Sequence, residues 1–171
     1  LPHDIGGLTA EAVSPKDSYA LTPARVKAVM DRDFGRMLMG SMLLFAGTGK
    51  SHAAKALALL VVNRGYKVIY REAHQLLEDI NEARELGALR KLRAQLHAAE
   101  LLLIDDLFLR RLPAHAGDEL ADVLMSRYEK GSTIITSNRV PDDWPKLLGD
   151  VVVVAPLLDR LMHHGHLLKC A

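Results

Sequence analysis

The 171-residue sequence has little of what marks several specialised classes of protein. It has one cysteine, Cys170, which excludes an intrachain disulfide framework and a zinc site built from cysteines. Aromatic residues make up only 5% of the chain, so aliphatic side chains must fill the core. No apolar run approaches the roughly 18 residues that a membrane-spanning helix needs. We therefore expect a cytoplasmic protein with no membrane partner.

The charge balance excludes a strongly basic or acidic chain. The 22 lysines and arginines nearly match the 21 aspartates and glutamates, and the formal net charge is +1. Hydrophobic residues make up 49% and charged residues 25%, which is typical of a folded globular protein. The length corresponds to one domain. Because the chain begins with Leu1 rather than Met and shows no signal peptide, we expect a fragment of a longer protein.

The order of apolar and amphipathic segments predicts an α/β domain. Residues 1–20 carry turn formers and predict an irregular lead-in, and Thr22-Pro23 predicts the start of a helix that ends near Phe34. Strands and helices then alternate with short connections, which favours a parallel sheet with helices on both faces. The predicted strands are 42–45, 67–70, 101–104 and 132–136, and the predicted helices are 50–63, 72–98 with a break near Gly87, and 117–129.

A glycine-rich turn, Gly47-Thr48-Gly49-Lys50-Ser51, connects the strand 42–45 to the helix 50–63. It matches the second half of the P-loop (Walker A) pattern, in which backbone N–H groups and a helix N-terminus surround phosphate oxygens. We expect Lys50 to contact the β- and γ-phosphates of ATP and Ser51 to ligate Mg²⁺. Leu44 stands where the pattern has its first glycine, which predicts a shortened or reshaped loop at the same location.

Two acids, Asp105 and Asp106, follow the unbroken apolar strand 101–104. Such a strand is typical of one buried on both faces, and acids at its end form a Walker B element. We expect Asp105 to hold Mg²⁺, directly or through water, because carboxylate oxygens are hard ligands. We expect Asp106 to orient or polarise the attacking water. Taken alone, the pattern also fits a strand that ends at a solvated loop.

The strand 132–136 and its polar end complete a specific resemblance. The chain resembles AAA+ ATPases of the initiator and helicase-loader clade and, within it, the IstB-like helper ATPases of bacterial insertion-sequence transposition, which are relatives of DnaC-type helicase loaders. The resemblance covers roughly residues 41–169. The matching segments are 101–107, 127–129, 135–138, Trp144, Gly149-Asp150, and 158–161 with His163-His164.

The resemblance implies a fold and two further site residues. The implied fold is a three-layer P-loop NTPase with a five-stranded parallel sheet flanked by helices. Asn138 falls at the sensor-1 position, which places water near the γ-phosphate. Arg160 falls in the segment that supplies an arginine finger to the nucleotide of a neighbouring subunit. The alternatives are an asparagine that caps a turn and an arginine that pairs with Asp159 or Glu129.

The resemblance also implies domain limits. Residues 41–171 correspond to the ATPase core, truncated before the sensor-2 segment, and residues 1–40 to a remnant of an N-terminal region. Phe108 replaces a glycine that is usual just after the Walker B acids. The valine run 151–154 fits either a strand or the approach to the helix that carries Arg160, and the sequence leaves both open.

Four basic residues in the segment 72–98 are candidates for contact with double-stranded DNA, namely Arg84, Arg90, Lys91 and Arg93. The resemblance implies that a helical element at this place faces DNA, where basic side chains contact phosphates without reading bases. The same residues also fit the solvated face of an amphipathic helix, and both interpretations remain open.

The function that the resemblance implies is an ATPase that assembles on DNA as a homo-oligomer, through its nucleotide interface, and regulates a transposase. The closest alternative is a loader whose partner is a replicative helicase. A small-molecule P-loop kinase is disfavoured by Asn138 and Arg160 in their family context. A degenerate nucleotide-binding scaffold is a further alternative, because Leu44 departs from the P-loop pattern.

Overall fold

The computed structural model describes the backbone of residues 10–13, 18–21, 42–47, 49–148 and 151–170, and most side chains between 49 and 160. The predicted helix from Thr22 to Phe34 lies outside the described residues. The described strands are β1 (Ala10–Val13), β2 (Ser18–Leu21), β3 (Met42–Gly47), β4 (Val68–Glu72), β5 (Leu101–Leu107), β6 (Ser132–Ser137) and β7 (Gly165–Cys170). The described α-helices are α1 (Lys50–Asn63), α2 (Ala73–Glu85), α3 (Leu89–Ala98), α4 (Ala116–Arg127), α5 (Trp144–Leu148) and α6 (Val151–His164).

The strands form one sheet in the order β2-β1-β7-β3-β6-β5-β4. Neighbours from β7 to β4 pair in parallel, as expected when helices connect successive strands. The α/β class and the parallel sheet are therefore confirmed. The strands β1 and β2 extend the β7 edge in antiparallel pairing.

The structure differs from the predicted irregular lead-in at β1 and β2. Each strand has only four residues, Ala-Glu-Ala-Val and Ser-Tyr-Ala-Leu, which is too short for a clear alternation of apolar and polar residues. β1 pairs with β2, and it also pairs with β7, where Ala10 is opposite Cys170 at the other end of the chain. A local pattern carries no information on such a contact.

The core lies between the sheet and the helices packed on it. The residues Leu101 to Ile104 of β5 are at most 1% exposed, as the unbroken apolar run predicts. Buried residues of α2 recur with helical spacing and turn one face to the sheet. Trp144 is fully buried and meets the Phe108 ring edge to face at 5.5 Å. Trp144 thus anchors the short helix α5 against the segment that follows β5.

The valine run 151–154 is helical and forms the first turn of α6. Val154 and Leu157 are buried and lie three residues apart, which places them on one face of this helix. The structure therefore excludes the strand interpretation. In the part of the chain that the structure describes, no helix is both long enough and apolar enough to cross a membrane.

Candidate nucleotide site

The carboxyl ends of β3, β6 and β5 meet at one edge of the sheet. Ala46 is opposite Ser137, and Ser137 is also opposite Leu107. The pairing of β5 with β6 shifts in register between Ile104 and Leu107, so the two acids Asp105 and Asp106 lie inside an irregularity. Ligands of parallel α/β sheets bind at this kind of edge.

The helix α1 begins at this edge, directly after Gly49. Gly49 has φ +75, a left-handed conformation that favours glycine, and its carbonyl accepts a hydrogen bond from the Ala53 N–H at 3.1 Å. The first turn of α1 has no acidic residue. Its free N–H groups and partial positive charge therefore suit an anion. Gly47 ends β3, and Thr48 lies outside the described residues.

Lys50 and Ser51 both face Asp106. The Lys50 ammonium lies 3.2 Å from Asp106 Oδ1, and the Ser51 hydroxyl lies 3.5 Å from the same oxygen. Asp106 has φ 55, which is uncommon for a residue with a side chain. Its backbone N–H donates to the hydroxyl of Thr136 on β6 at 2.8 Å. The structure thus brings together the predicted lysine, serine and second acid of the two motifs.

Asp105 occupies a buried cluster that shares Ser51 with Asp106. Its carboxylate has 1% of its surface exposed and pairs with the Lys55 ammonium at 3.1 Å. It accepts hydrogen bonds from the Tyr70 hydroxyl at 3.0 Å and from the Thr136 hydroxyl. The Lys55 ammonium also lies 4.9 Å from the centre of the Tyr70 ring, in cation–π geometry. Asp105 is therefore surrounded by donors from α1, β4 and β6.

These contacts keep Asp105 and Lys55 charged. Burial favours a higher pKa for Asp105, but hydrogen bonds from Thr136, Ser51, Lys55 and Tyr70 outweigh it and lower the pKa below its usual range. The hydrogen bonds with Tyr70 and Asp105 raise the pKa of Lys55. Burial is the main cause that raises the pKa of Tyr70, so this hydroxyl stays a neutral donor.

Asn138 is exposed and follows β6 directly, at the same edge as Asp106. The turn after β6 uses Ser137 as its hydrogen-bonding side chain. The Arg139 N–H donates to the Ser137 hydroxyl oxygen at 3.0 Å, and that hydroxyl also lies 3.3 Å from the Leu107 carbonyl. Asn138 therefore lies next to the hydrogen-bonded Ser137, and its sensor role stays a prediction.

Arg160 is half-buried on α6 and contacts α4 and the residue after it. Its guanidinium lies 2.9 Å from the Met125 sulfur and 5.1 Å from the centre of the Tyr128 ring. These contacts stack the guanidinium on an aromatic face. Action on the nucleotide of a second subunit stays a prediction.

The four basic residues of the segment 72–98 separate into two pairs. Arg84 forms an ion pair with Glu119 of α4, and Arg93 lies 2.8 Å from Asp122 and 3.7 Å from Glu119. Arg90 and Lys91 are exposed on α3 and form no ion pair with the residues that the structure describes. Two of the four candidates therefore link α2 and α3 to α4, and two face solvent.

Sequence reasoning missed Lys55, Tyr70 and Thr136. Lys55 lies in the middle of the mostly apolar helix α1 and Tyr70 lies in the strand β4, and neither residue belongs to a motif. Thr136 carries a faint signal, because a hydroxyl in a wholly buried strand needs a hydrogen-bond partner. That partner, Asp105, lies 31 residues away in sequence.

A curated protein is similar in sequence to most of this chain. The ATP-binding protein of insertion sequence IS5376 from Geobacillus stearothermophilus is 33% identical over 119 residues, which are 70% of this chain and 47% of that protein. The chain therefore spans about half the length of the curated relative.

Solved structures have the same P-loop AAA+ fold. The alignment with the DnaC helicase loader has a TM-score of 0.66 at 18% identity, and it covers 92% of this chain and 96% of that chain. AMPPCP-bound DnaA from Aquifex aeolicus has a TM-score of 0.64 at 24% identity, over 87% of this chain and 45% of that one. At these identities the likeness shows the fold alone. The model of the IstB-like ATP-binding proteins matches residues 26–171, and the chain belongs to that family.

Proposed function

We propose that this protein is an ATP-dependent helper that assembles on double-stranded DNA and regulates the transposase of an insertion sequence. The observation that carries the nucleotide part is the convergence of Lys50 and Ser51 on Asp106, beside the N-terminus of α1. Lys50 pairs with Asp106 here, and the first N–H groups of α1 beside it have no capping side chain in the part of the chain that the structure describes. Both are suited to the phosphates of ATP.

The oxygen donors at this place suit Mg²⁺. We propose that the Ser51 hydroxyl and the Asp105 carboxylate, which are hydrogen-bonded to each other, hold Mg²⁺, because hard oxygen ligands of this type are those that Mg²⁺ takes. A bound Mg²⁺ would neutralise phosphate charge. We propose that Gly47, Thr48 and Gly49 surround the phosphates. Lys50 then gives up its ion pair with Asp106 and binds the β- and γ-phosphates instead.

Hydrolysis in this proposal depends on groups that the nucleotide brings together. Asp106 polarises the attacking water, and Asn138 orients it from the end of β6. Arg160 of one subunit contacts the nucleotide of the next, so ATP promotes assembly and hydrolysis promotes disassembly. A finger that acts in this way is worth on the order of 10³–10⁵ in rate in other nucleotide hydrolases.

The DNA part of the proposal rests on the exposed side chains of α3. Arg90 and Lys91 face solvent, whereas Arg84 and Arg93 are held by acids of α4. With a net charge of only +1, a single chain has no strong field to attract DNA. We propose that subunits repeated along the duplex place such pairs against successive phosphates, in the cytoplasm where DNA and ATP are found.

The relative named for an insertion sequence supports a transposase as partner. A replicative helicase is the second candidate, because the DnaC helicase loader shares the fold over 96% of its length. The two candidates differ in the partner protein alone. Co-elution of the chain with a transposase or with a replicative helicase, in the presence of ATP, separates them.

Lys50→Ala tests the nucleotide site. We expect it to weaken ATP affinity by at least about tenfold, or about 1.4 kcal/mol, because it removes a charge from the phosphate contact. The measurement is titration with a fluorescent ATP analogue. Lys67→Ala is the matched control, since Lys67 is exposed and its described hydrogen bond uses the backbone N–H. Equal affinity of the Lys50→Ala variant and wild type would contradict the proposal.

A further inference from the structure

The loop 108–115 connects β5 to α4, at the edge of the sheet where the two acids lie. The Phe108 ring packs on Trp144 at 5.5 Å, and Leu112 packs against the core, so the first part of the loop is anchored on both sides. The residues 109–111 between these anchors are exposed to solvent. The fold therefore presents a short segment at this edge, which we call the arginine loop (residues 109–111).

The arginine loop carries two positive charges. Within the part of the chain that the structure describes, Arg110 and Arg111 form neither an ion pair nor a side-chain hydrogen bond. The segment 107–117 contains no aspartate or glutamate. Arg84 and Arg93 differ from this pair, because acids of α4 hold their guanidinium groups. An anionic partner would relieve the repulsion between the two neighbouring charges of the arginine loop.

The chemistry of this segment suits the phosphates of a nucleic acid. A guanidinium group presents a planar fork of donors that matches phosphate oxygens. Small anions bind in concave sites lined by several donors, whereas Arg110 and Arg111 are exposed and contact no other polar side chain that the structure describes. Double-stranded DNA carries one charge per about 1.7 Å of its axis, so two adjacent arginines meet several phosphates.

The arginine loop is also hydrogen-bonded to the backbone of Asp106, which polarises the attacking water in the proposed function. The Leu109 N–H donates to the Asp106 carbonyl at 3.1 Å. Asp106 has φ 55 and Phe108 has φ 68, so this turn contains two residues in the left-handed conformation. Such a conformation persists only where surrounding contacts hold it. A ligand on the arginine loop can therefore bias the position of the Asp106 carboxylate.

We propose that the arginine loop binds phosphates of double-stranded DNA and transmits this contact to Asp106, so that DNA raises the rate of ATP hydrolysis. This inference rests on the proposed function, since it names the part of the chain through which DNA acts on the ATP site. Arg90 and Lys91 of α3 have a different role, because they add affinity for DNA and are not hydrogen-bonded to the turn that contains Asp106.

The test compares two double variants of the full chain that each remove two positive charges. Arg110→Ala with Arg111→Ala changes the arginine loop, and Arg90→Ala with Lys91→Ala is the matched control on α3. One measurement is the affinity for a DNA duplex across salt, where each double variant should lower the slope by about 2. The other is the ratio of the ATP hydrolysis rate with saturating DNA at low salt to the rate without DNA.

The rate ratio separates the two basic sites. We expect the ratio of the arginine-loop variant to fall close to unity, whereas the α3 variant reaches the wild-type ratio once enough DNA is added. Arg110→Lys with Arg111→Lys keeps both charges and should retain most of the DNA affinity, because phosphate contacts depend mainly on charge. The Tm of the alanine variant should equal that of wild type, since both arginines are exposed.

Three outcomes would overturn the inference while the proposed function stands. The first is an arginine-loop variant with the DNA affinity and the rate ratio of wild type. The second is an equal loss of the ratio in both alanine variants, which would leave the arginine loop without a special link to Asp106. The third is a loss of ATP-dependent oligomers in the arginine-loop variant without DNA, seen by light scattering, which would place the arginines on the nucleotide of a neighbouring subunit.

Failure of the proposed function has a different result. Wild-type protein that binds no double-stranded DNA, or whose ATP hydrolysis is the same with and without it, overturns the proposed function and this inference with it.

Discussion

At the scale of single residues, the buried guanidinium of Arg127 explains how the end of α3 is joined to the start of β6. Arg127 is 1% exposed and donates to the carbonyls of Leu96, Ala99 and Ser132 and to the Thr133 hydroxyl. Burial lowers its pKa to about 10. The charge is stabilised by carbonyl dipoles at the end of α3 and at the start of β6.

Replacement of Arg127 by methionine removes every donor from this cluster. Three carbonyls and one hydroxyl then each lose a buried donor, at about 1–3 kcal/mol each where water cannot enter. We expect the free energy of unfolding to fall by roughly 3 kcal/mol or more, measured by urea denaturation. The same substitution at the exposed Arg90 should change it by less than about 0.5 kcal/mol. Equal losses in both variants would contradict this account.

Phe108 shows two opposed effects at one residue. It has φ 68, a left-handed conformation that costs a non-glycine residue about 1–2 kcal/mol. The buried ring packs on Trp144, and removal of a buried phenylalanine costs about 3–5 kcal/mol. Packing therefore outweighs strain, which explains how a phenylalanine occupies a position where the resemblance implies a glycine.

Substitution of Phe108 separates the two effects. Phe108→Gly relieves the strain and loses the packing, so we expect a net loss of about 2 kcal/mol in the free energy of unfolding. Phe108→Ala loses the packing and keeps the strain, so its loss should be about 1 kcal/mol larger. Chemical denaturation of both variants checks the order. An alanine variant as stable as the glycine variant would show that backbone strain is absent here.

The sequence predicts which residues gather at the site better than it predicts what each one faces. Lys50, Ser51 and the two acids follow from motifs, because parallel strands carry their carboxyl ends to one edge. The orientation of Asp106 depends on the register shift of β5 and on Thr136 of another strand. Such contacts between segments distant in sequence leave no local pattern.

At the scale of elements, the helices α2, α3 and α4 are joined by ion pairs. These pairs use Arg84 and Arg93, whereas Arg90 and Lys91 are exposed to solvent. Glu119 is 12% exposed in its side chain and receives Arg84 and Arg93 from two different helices. Partly buried pairs of this kind contribute more than exposed ones. The basic residues of this region therefore have two separable roles.

Two double variants distinguish those roles. Arg90→Ala with Lys91→Ala should leave the unfolding free energy unchanged, weaken affinity for double-stranded DNA, and lower the salt dependence by a slope of about 2. Arg84→Ala with Arg93→Ala removes the same charge but should lower stability, because Glu119 is left without a cation. The measurements are DNA titrations across salt and urea denaturation. Unchanged DNA affinity in the first double variant would contradict a DNA contact on α3.

Element boundaries follow from the sequence where a turn residue marks them. The helix α1 spans Lys50–Asn63 as predicted, because glycines stand just before it and just after it. The break at Gly87 separates α2 from α3. The run 151–154 has no such marker, since four valines suit a strand and α6 is helical through packing of Val154 and Leu157.

At the scale of the whole molecule, the proposed function needs one ATP site in each chain and assembly between chains. Arg160 is half-buried against Met125 and Tyr128, and in the proposal it contacts the nucleotide of a neighbour. A single chain then has the groups that bind ATP but lacks the neighbour's arginine that completes the site for hydrolysis. ATP binding and ATP-dependent assembly should therefore respond differently to substitution of this arginine.

Arg160→Ala should bind ATP with wild-type affinity at low protein concentration and fail to form ATP-dependent oligomers, because the contact across subunits is lost. Light scattering with and without ATP measures assembly. Arg139→Ala is the control, since its described hydrogen bonds use the backbone and its side chain is exposed. Assembly of the Arg160→Ala variant at the wild-type level would rule out this role.

The rate of ATP hydrolysis with and without double-stranded DNA, measured from low to high salt, is the decisive test of an ATPase that works on DNA. Phosphate contacts weaken steeply as salt rises, so we predict that DNA stimulates hydrolysis at low salt and that the stimulation disappears at high salt. Lys50→Ala should show no stimulated turnover at any salt concentration. A wild-type rate that is the same with and without DNA at every salt concentration would contradict the proposed function. A rate that DNA still stimulates in Lys50→Ala would contradict it as well.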